Sequence, residues 1–330
     1  FGMNRTLEHI LPRVQKPARY TGGEYNAVVK DRRAVDVRYA LCFPDTYEIG
    51  MSNLGVRILY GLMNEMDGVW CERVFAPWGD MEEEMRREGI PLYGLESGDS
   101  IADFDLIGFS LGYEMAYTNV LNMLDLAGLP LRSGERTELS PIVVAGGTCA
   151  FNPEPLAPFV DLFVLGEGED VSVEIIQLYR QAREEGWGKE EFLTAAARIP
   201  GVYVPSLYEV SYHGDGTVAA VTPLEGAPAR VTKRIVQDFD KSYFPVKTIV
   251  PSTEIVHDRV MLEVFRGCIR GCRFCQAGYA YRPVRPRNPQ RLVQQGIEAG
   301  LRLPGDDPLQ PVHQRLPGIG GAVRRPAGVV

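Results

Sequence analysis

The feature that most constrains the fold is a regular alternation of short strands and helices over the first 200 residues. Five short, largely apolar runs are predicted strands: residues 37–43, 69–75, 104–110, 142–145 and 161–165. Helices are predicted between them, and the first shows an apolar face formed by Met51, Leu54, Ile58, Leu62 and Met66. Such alternation is typical of an α/β protein, and we predict a Rossmann-like, doubly wound parallel sheet.

Two of these strands end in glycine-rich turns. The strand at 142–145 is followed by Gly146-Gly147, and the strand at 161–165 ends in Gly166-Glu167-Gly168-Glu169. Ligands of open α/β sheets bind beyond the carboxyl ends of the strands. Glycine allows close backbone approach there, and the helix that follows offers free amides to a phosphate or amide group, although tight turns also need glycine for steric reasons alone. Gly146, Gly147, Gly166 and Gly168 are therefore candidate cofactor-binding residues.

Composition limits the class of protein. The 330 residues are 45% hydrophobic, with a net charge of −8, which argues against broad non-specific nucleic-acid binding but leaves room for a local basic patch. The sequence has no run of 18 apolar residues, and its polar beginning does not resemble a signal peptide. A clustered cysteine trio requires free thiolates and hence a reducing compartment. We expect a cytoplasmic protein without a membrane partner.

Three of the six cysteines lie within eight residues. Cys268, Cys272 and Cys275 follow a CxxxCxxC spacing, and Gly267 and Gly271 let the loop curl. Three thiolates are one too few for a tetrahedral zinc site or for the usual complement of an iron-sulfur cluster. On a four-iron cluster, one iron would therefore have an open position. An incomplete zinc knuckle and three unrelated cysteines are the alternatives.

The cysteine loop, with Phe274 before its last cysteine, resembles the signature loop of radical S-adenosylmethionine (SAM) enzymes. The resemblance implies a 4Fe-4S cluster held by Cys268, Cys272 and Cys275, with SAM bound at the open iron beside Phe274. It also implies reductive cleavage of SAM to a 5′-deoxyadenosyl radical, an external electron donor such as flavodoxin or ferredoxin, and a first barrel strand at 260–265. Neither the substrate nor a catalytic side chain follows from it.

A wider resemblance, over residues 11–287, is to uncharacterised radical SAM proteins with a cobalamin-binding domain. It is carried by the order Gly146-Gly147, Asn152-Pro153-Glu154-Pro155, the GEGE turn and the cysteine loop. Cobalamin methyltransferases ligate cobalt through a histidine in an Asp-x-His-x-x-Gly loop, whereas Tyr47 stands at that place here. Cobalamin without a protein histidine ligand, or a domain that has lost the cofactor, both stay open.

Residue patterns and the resemblance together predict five segments. They are an arm at 1–36, a cobalamin-binding-like Rossmann domain at 37–200, a β-hairpin and linker at 201–258, the first strand and helix of a partial TIM barrel at 259–300, and a tail at 301–330. The tail is rich in Arg, Pro and Gly, and we interpret it as of low order or as out-of-frame translation of a truncated gene. A radical SAM barrel needs roughly 200 residues, judged against complete eight-fold barrels.

Two rival functions are considered. One is a non-catalytic cofactor-binding or redox fragment. The other is a methylthiotransferase-like enzyme acting on tRNA, which would hold a second cluster through Cys42, Cys71 and Cys149; we interpret these three as buried packing residues. Four residues after the cysteines are predicted either to reach a substrate pocket or to serve in packing and ion pairs: Tyr279, Tyr281, Arg282 and Arg285.

Overall fold

The computed structural model describes residues 5–257 and 259–300, and a six-stranded sheet forms its centre. The strands are β1 Val37–Phe43, β2 Val69–Phe75, β3 Leu106–Ser110, β4 Ile142–Gly146, β5 Leu162–Val164 and β6 Val202–Tyr203. Their order is β2-β1-β3-β4-β5-β6; the first five run parallel, and β6 is antiparallel to β5. The prediction of an α/β protein with a mostly parallel sheet is confirmed.

The sheet is covered on both faces, as parallel sheets normally are. Every residue of β1 and β2 is buried, although Arg38 on β1 and Glu72 and Arg73 on β2 interrupt their apolar runs. Successive side chains alternate between two separate cores. Ala40 and Cys42 belong to the core on one face, whereas Tyr39 and Leu41 belong to the core on the other.

Nine α-helices are present in the described residues. They are α1 Arg5–Ile10, α2 Tyr47–Met51, α3 Leu54–Glu65, α4 Gly79–Glu88, α5 Tyr117–Leu126, α6 Gly168–Glu185, α7 Lys189–Ala196, α8 Ala277–Ala280 and α9 Pro289–Gly300. The Asn53 side chain caps α3 by accepting a hydrogen bond from the Val56 amide at 3.1 Å. The glycine after α6, Gly186, adopts the left-handed conformation that ends many helices.

The apolar face of α3 is only partly as predicted. Ile58 is buried, but Leu54 and Leu62 are only partly covered, and Val56 and Met63 lie deepest instead. The reason is local: Leu54 lines a cavity rather than the core. A spacing argument cannot tell a cavity-facing apolar side chain from a core-facing one.

The N-terminal arm is pinned to the sheet by a buried ion cluster. Arg73 on β2 donates to both carboxylate oxygens of Glu24, at 2.9 and 2.7 Å, and to Glu96 at 2.7 Å. Burial alone would raise the pKa of Glu24, but the charge and hydrogen bonds of Arg73 outweigh it and lower that pKa. For Glu96, burial prevails and raises the pKa despite Arg73. The arm therefore contributes a buried charge to the core.

Beyond the sheet lie two small antiparallel pairs. The predicted hairpin is confirmed as β7 Tyr208–Tyr212 and β8 Val218–Pro223. The second pair joins β9 Phe265–Arg266 to β10 Arg285–Pro286. The barrel strand predicted at 260–265 is not formed in the described residues, where 260–264 are outside any strand. Apolar pattern alone does not make a strand, because the backbone needs a hydrogen-bonded neighbour, and here only the short β10 provides one.

The predicted tail at 301–330 lies outside the described residues. Within them, the helices are all too short or too polar to cross a membrane.

Candidate functional site: a cavity and a cysteine loop at the carboxyl edge of the sheet

A cavity of about 520 Å³ opens at the carboxyl ends of β1, β3, β4 and β5. Chain connections leave β1 and β3 in opposite directions, since β2 lies on one side of β1 and β4 lies beyond β3. Doubly wound sheets bind ligands at such a switch point. The starts of α3 and α6 form two of its walls, and the volume lies in the usual range of small-molecule sites, roughly 300–1,000 Å³.

The four candidate glycines all line this cavity, but for different reasons. Gly147 and Gly166 have φ values of +100° and +109°, and a Cβ atom on Gly147 would lie 2.7 Å from the Leu111 carbonyl oxygen. A Cβ on Gly166 would overlap the backbone of Arg234. Chain packing thus accounts for these two, whereas a Cβ on Gly146 or Gly168 would meet only ordinary contacts at 3.5 Å or more.

The floor of the cavity is Tyr39, a residue that the sequence analysis did not single out. Its side chain is 5% exposed and lies across Gly108 of β3, where a Cβ atom would overlap the tyrosine oxygen. Among the described residues, no protein group forms a hydrogen bond with its hydroxyl. Burial raises the pKa of Tyr39, so the hydroxyl keeps its proton. The hydroxyl lies at the cavity surface, where a ligand or water can hydrogen-bond to it.

The sequence contains an indication of this close packing, but an ambiguous one. Gly108 interrupts the apolar run of β3, and a glycine inside a strand often marks the close approach of another group. Which group approaches is decided by the neighbouring strand, β1, about 70 residues earlier. Local pattern could flag the position without naming Tyr39.

The three cysteines lie on the loop of residues 267–284 between β9 and β10. All three are free thiols; Cys268 and Cys275 are partly exposed and Cys272 is exposed. The Cys275 amide donates to the Cys272 carbonyl oxygen at 3.1 Å, which closes a tight turn. Within residues 5–257 and 259–300, no three His, Cys, Asp or Glu side chains stand close enough together to hold a metal ion. The donor set, three accessible thiols on one loop, nevertheless fits the chemistry of a cluster with one open iron.

Backbone contacts fix the shape of this loop. Gly267 has a φ of +97°, and a Cβ there would lie 2.5 Å from the Pro283 carbonyl oxygen. Arg282 donates from Nε to the Cys268 carbonyl oxygen at 3.2 Å and from Nη2 to that of Arg270 at 2.9 Å. Gly267 is therefore required by the closed loop, and Arg282 ties its two sides together. By contrast, a Cβ on Gly271 would meet nothing within 4 Å, so the loop does not depend on that glycine sterically.

Lys233, from the linker, holds the end of the loop. Its ammonium group donates to the carbonyl oxygens of Tyr279, Ala280 and Arg282 at 3.0, 3.1 and 2.7 Å. These oxygens include the C-terminal end of α8, where a cation is favourable. Burial, followed by the charge of Arg285, lowers the pKa of Lys233.

The residues after the cysteines divide between the two roles that the sequence left open. Tyr281 lines the cavity, and its hydroxyl contacts that of Thr148. Arg285 forms an ion pair with Glu167, and Tyr279 is exposed. Phe274 is 93% exposed and is not part of the cavity wall.

Tyr47 is not placed as a cobalt ligand. It is buried, and its hydroxyl donates to Glu24 at 2.8 Å in the ion cluster of the arm. The residues that line the cavity include no histidine. A corrinoid bound there would have no protein imidazole among these residues.

The structure separates the three remaining cysteines. All are buried, as predicted, but Cys42 and Cys149 belong to the core on one face of the sheet and Cys71 to the core on the other. Burial raises the pKa of each thiol, that of Cys149 to about 11. They are packing residues and cannot jointly hold a second cluster in this arrangement.

The fold and the site define an α/β protein with a switch-point cavity beside a loop of three free thiols. Residues 55–205 match the family model described as radical SAM proteins, N-terminal, and this match supports a protein of the radical SAM family. That family implies a 4Fe-4S cluster and SAM. The chain is also 27% identical over 258 residues to an uncharacterized protein of Methanocaldococcus jannaschii. The alignment covers 77% of this chain and 44% of that relative, so the chain spans less than half of the relative's length.

Proposed function

We propose that this chain is a radical SAM enzyme in which Cys268, Cys272 and Cys275 bind a 4Fe-4S cluster that reductively cleaves SAM. One observation carries the proposal: the family match ends at residue 205, yet a three-cysteine loop outside it docks at the cavity of the matched domain. The family match and the cysteine spacing are thus independent indications of the same class. The substrate is unassigned.

The cluster, when bound, supplies the electron that breaks a carbon-sulfur bond of SAM. The protein supplies position. Gly267, Arg282 and Lys233 hold the thiols on one closed loop. The Phe274 ring is exposed and available to stack on an aromatic base. An accessible loop suits reduction by an external donor, for which flavodoxin or ferredoxin is the class we propose.

For the cavity we propose cobalamin without a histidine ligand as the occupant. Its place at the switch point and the Tyr39 hydroxyl at its surface support a polar cofactor. Titration of the apo protein with hydroxocobalamin, followed by absorbance and equilibrium dialysis, tests this. Retention of cobalamin by the wild type is the expected result, and no retention at concentrations up to about 1 mM would sink this part of the proposal.

Anaerobic reconstitution with iron and sulfide tests the cluster. The wild type is expected to retain about four irons per chain, and Cys272→Ala to lose most of them. Cys71→Ala is the matched control, since it removes a buried thiol and is expected to keep the iron.

Activity is tested separately by adding dithionite and SAM to the reconstituted protein. Formation of 5′-deoxyadenosine supports the enzyme. Four irons without that product would favour the non-catalytic redox fragment for this chain, and about eight irons would favour a methylthiotransferase-like enzyme.

A further inference from the structure

The short pair β9 and β10, here called the neck, closes the cysteine loop with two arginines facing each other. Arg266 pairs directly with Arg285 across the two strands. Like charges at directly opposed positions destabilise an antiparallel pair. The neck therefore needs a negative charge between the two guanidinium groups.

Glu167, from the GEGE turn, supplies that charge. Both of its carboxylate oxygens accept hydrogen bonds from Arg285, and Oε2 lies 3.5 Å from Nη1 of Arg266. Burial alone would raise the pKa of Glu167, but hydrogen bonds from Arg285 and from the backbone outweigh it and lower that pKa. The carboxylate is thus ionised where the neck requires it.

Backbone contacts with residues 234–236 of the linker fix Glu167 in place. The Glu167 amide donates to the Arg234 carbonyl oxygen at 2.9 Å, and its side chain accepts from the Val236 amide at 2.6 Å. Gly166 lets these two segments approach, since any side chain there would overlap Arg234. Glu167 consequently presents its carboxylate from a rigid turn at the end of β5.

The surrounding charges balance. Arg266 also pairs with Glu169 and with Glu263, the latter at 2.7 Å, and Arg287 lies 3.4 Å from Glu263. Three arginines thus meet three glutamates. All three guanidinium groups lie over the ring of Phe239, between 4.0 and 5.9 Å from its centre. Cation–π contacts of this kind add to the ion pairs.

We propose that Glu167 is a positioning residue that holds the neck closed, and so keeps the three thiols on one compact loop. The proposal concerns the loop itself, and it rests on the proposed function only where it predicts an effect on the cluster.

The loop is tested in the apo protein by trypsin. Arg270 and Arg273 lie within it, and their side chains are exposed in the closed loop as well, so the cleavage rate reports how freely the loop backbone can enter the protease once the neck opens. Glu167→Gln keeps the size of the side chain and removes the charge, and it is expected to speed cleavage at these two sites about tenfold or more, because charge-assisted hydrogen bonds are lost. The control is Glu84→Gln on α4, which also removes a mostly buried carboxylate held by two arginines, at 12% exposure against 8% for Glu167. Equal cleavage of both variants and the wild type would overturn the proposal.

A double-mutant cycle with Arg285→Gln keeps the test decisive if single variants lose general stability. Residues that share one contact are not additive. The double variant is expected to be cleaved no faster than the faster single variant. Fully additive effects on the cleavage rate would mean that the two side chains act separately, against the proposal.

The cluster gives a second readout. If the wild type takes up iron, Glu167→Gln is expected to bind less of it and to change the electron paramagnetic resonance spectrum of the reduced cluster with SAM. Faster cleavage of Glu167→Gln in a protein that never takes up iron would sustain the positioning role and refute the proposed function. Normal iron uptake by Glu167→Gln together with unchanged cleavage would refute the positioning role and leave the proposed function standing.

Discussion

Replacing Arg73 by Met tests how the N-terminal arm is held to the sheet. Arg73 is 1% exposed and is the counter-charge of two buried carboxylates, Glu24 and Glu96. Methionine fills much of the same volume but leaves both carboxylates without a cation. Removing one partner of a buried ion pair costs about 3–5 kcal/mol. Glu24→Gln is expected to cost less, about 1–3 kcal/mol, because Arg73 then still has Glu96 as its counter-charge.

The pH dependence gives the sharper prediction. In the wild type, the lowered pKa of Glu24 adds stability that is present above its unfolded value, about 4.3, and is lost as the pH falls. Above about pH 5, Glu24 is ionised in both states, so within this cluster only Glu96 gives a pH dependence there: its pKa is raised, and its contribution favours the folded state as the pH falls. Without Arg73, burial raises the pKa of both carboxyls. The folded state then binds more protons than the unfolded one, and the variant should gain stability as the pH falls from 7 to 5.

Thermal unfolding followed by circular dichroism provides the assay. For a domain of this size, about 2–4 °C is expected per kcal/mol, hence a fall of about 6–20 °C for Arg73→Met at pH 7. Arg86→Met is the control, since Arg86 also pairs with two carboxylates but is 45% exposed, and it should cost less than about 1 kcal/mol. An Arg73→Met variant whose stability does not rise on acidification would refute the reasoning about the buried charges.

Two further changes have defined outcomes. Gly267→Ala should open the cysteine loop, because φ is +97° and a Cβ would lie 2.5 Å from the Pro283 carbonyl oxygen; iron retention after reconstitution should fall severalfold, whereas Gly271→Ala, with open space around it, should retain iron. Tyr39→Phe should leave thermal stability within about 1 kcal/mol of the wild type and weaken any cavity ligand about tenfold, measured by equilibrium dialysis; unchanged affinity would mean that the hydroxyl does not contact the ligand.

The sequence predicts the bounds of β1, β2 and α9 well, because each is a mainly apolar strand or an amphipathic helix that local pattern can locate. The ion clusters could not be predicted from local sequence patterns. Glu24 meets Arg73 across 49 positions and Glu167 meets Arg285 across 118, so no local spacing joins them. The prediction of a strand at 260–265 is wrong for the same reason: the apolar pattern is typical of a strand, but the partner that a strand needs is not determined locally.

The two helix starts that line the cavity are not equivalent toward an anionic ligand. The first turn of α6 carries Glu169 and Asp170, which already occupy the positive end of the helix dipole. The first turn of α3 has no acidic residue, and only its Asn53 cap uses one of its amides. A phosphate or carboxylate would therefore be repelled at the GEGE turn and tolerated at α3. Since Glu167 and Glu169 pair with Arg266 instead, the turn that resembled a ligand loop in the sequence serves here to dock the cysteine loop.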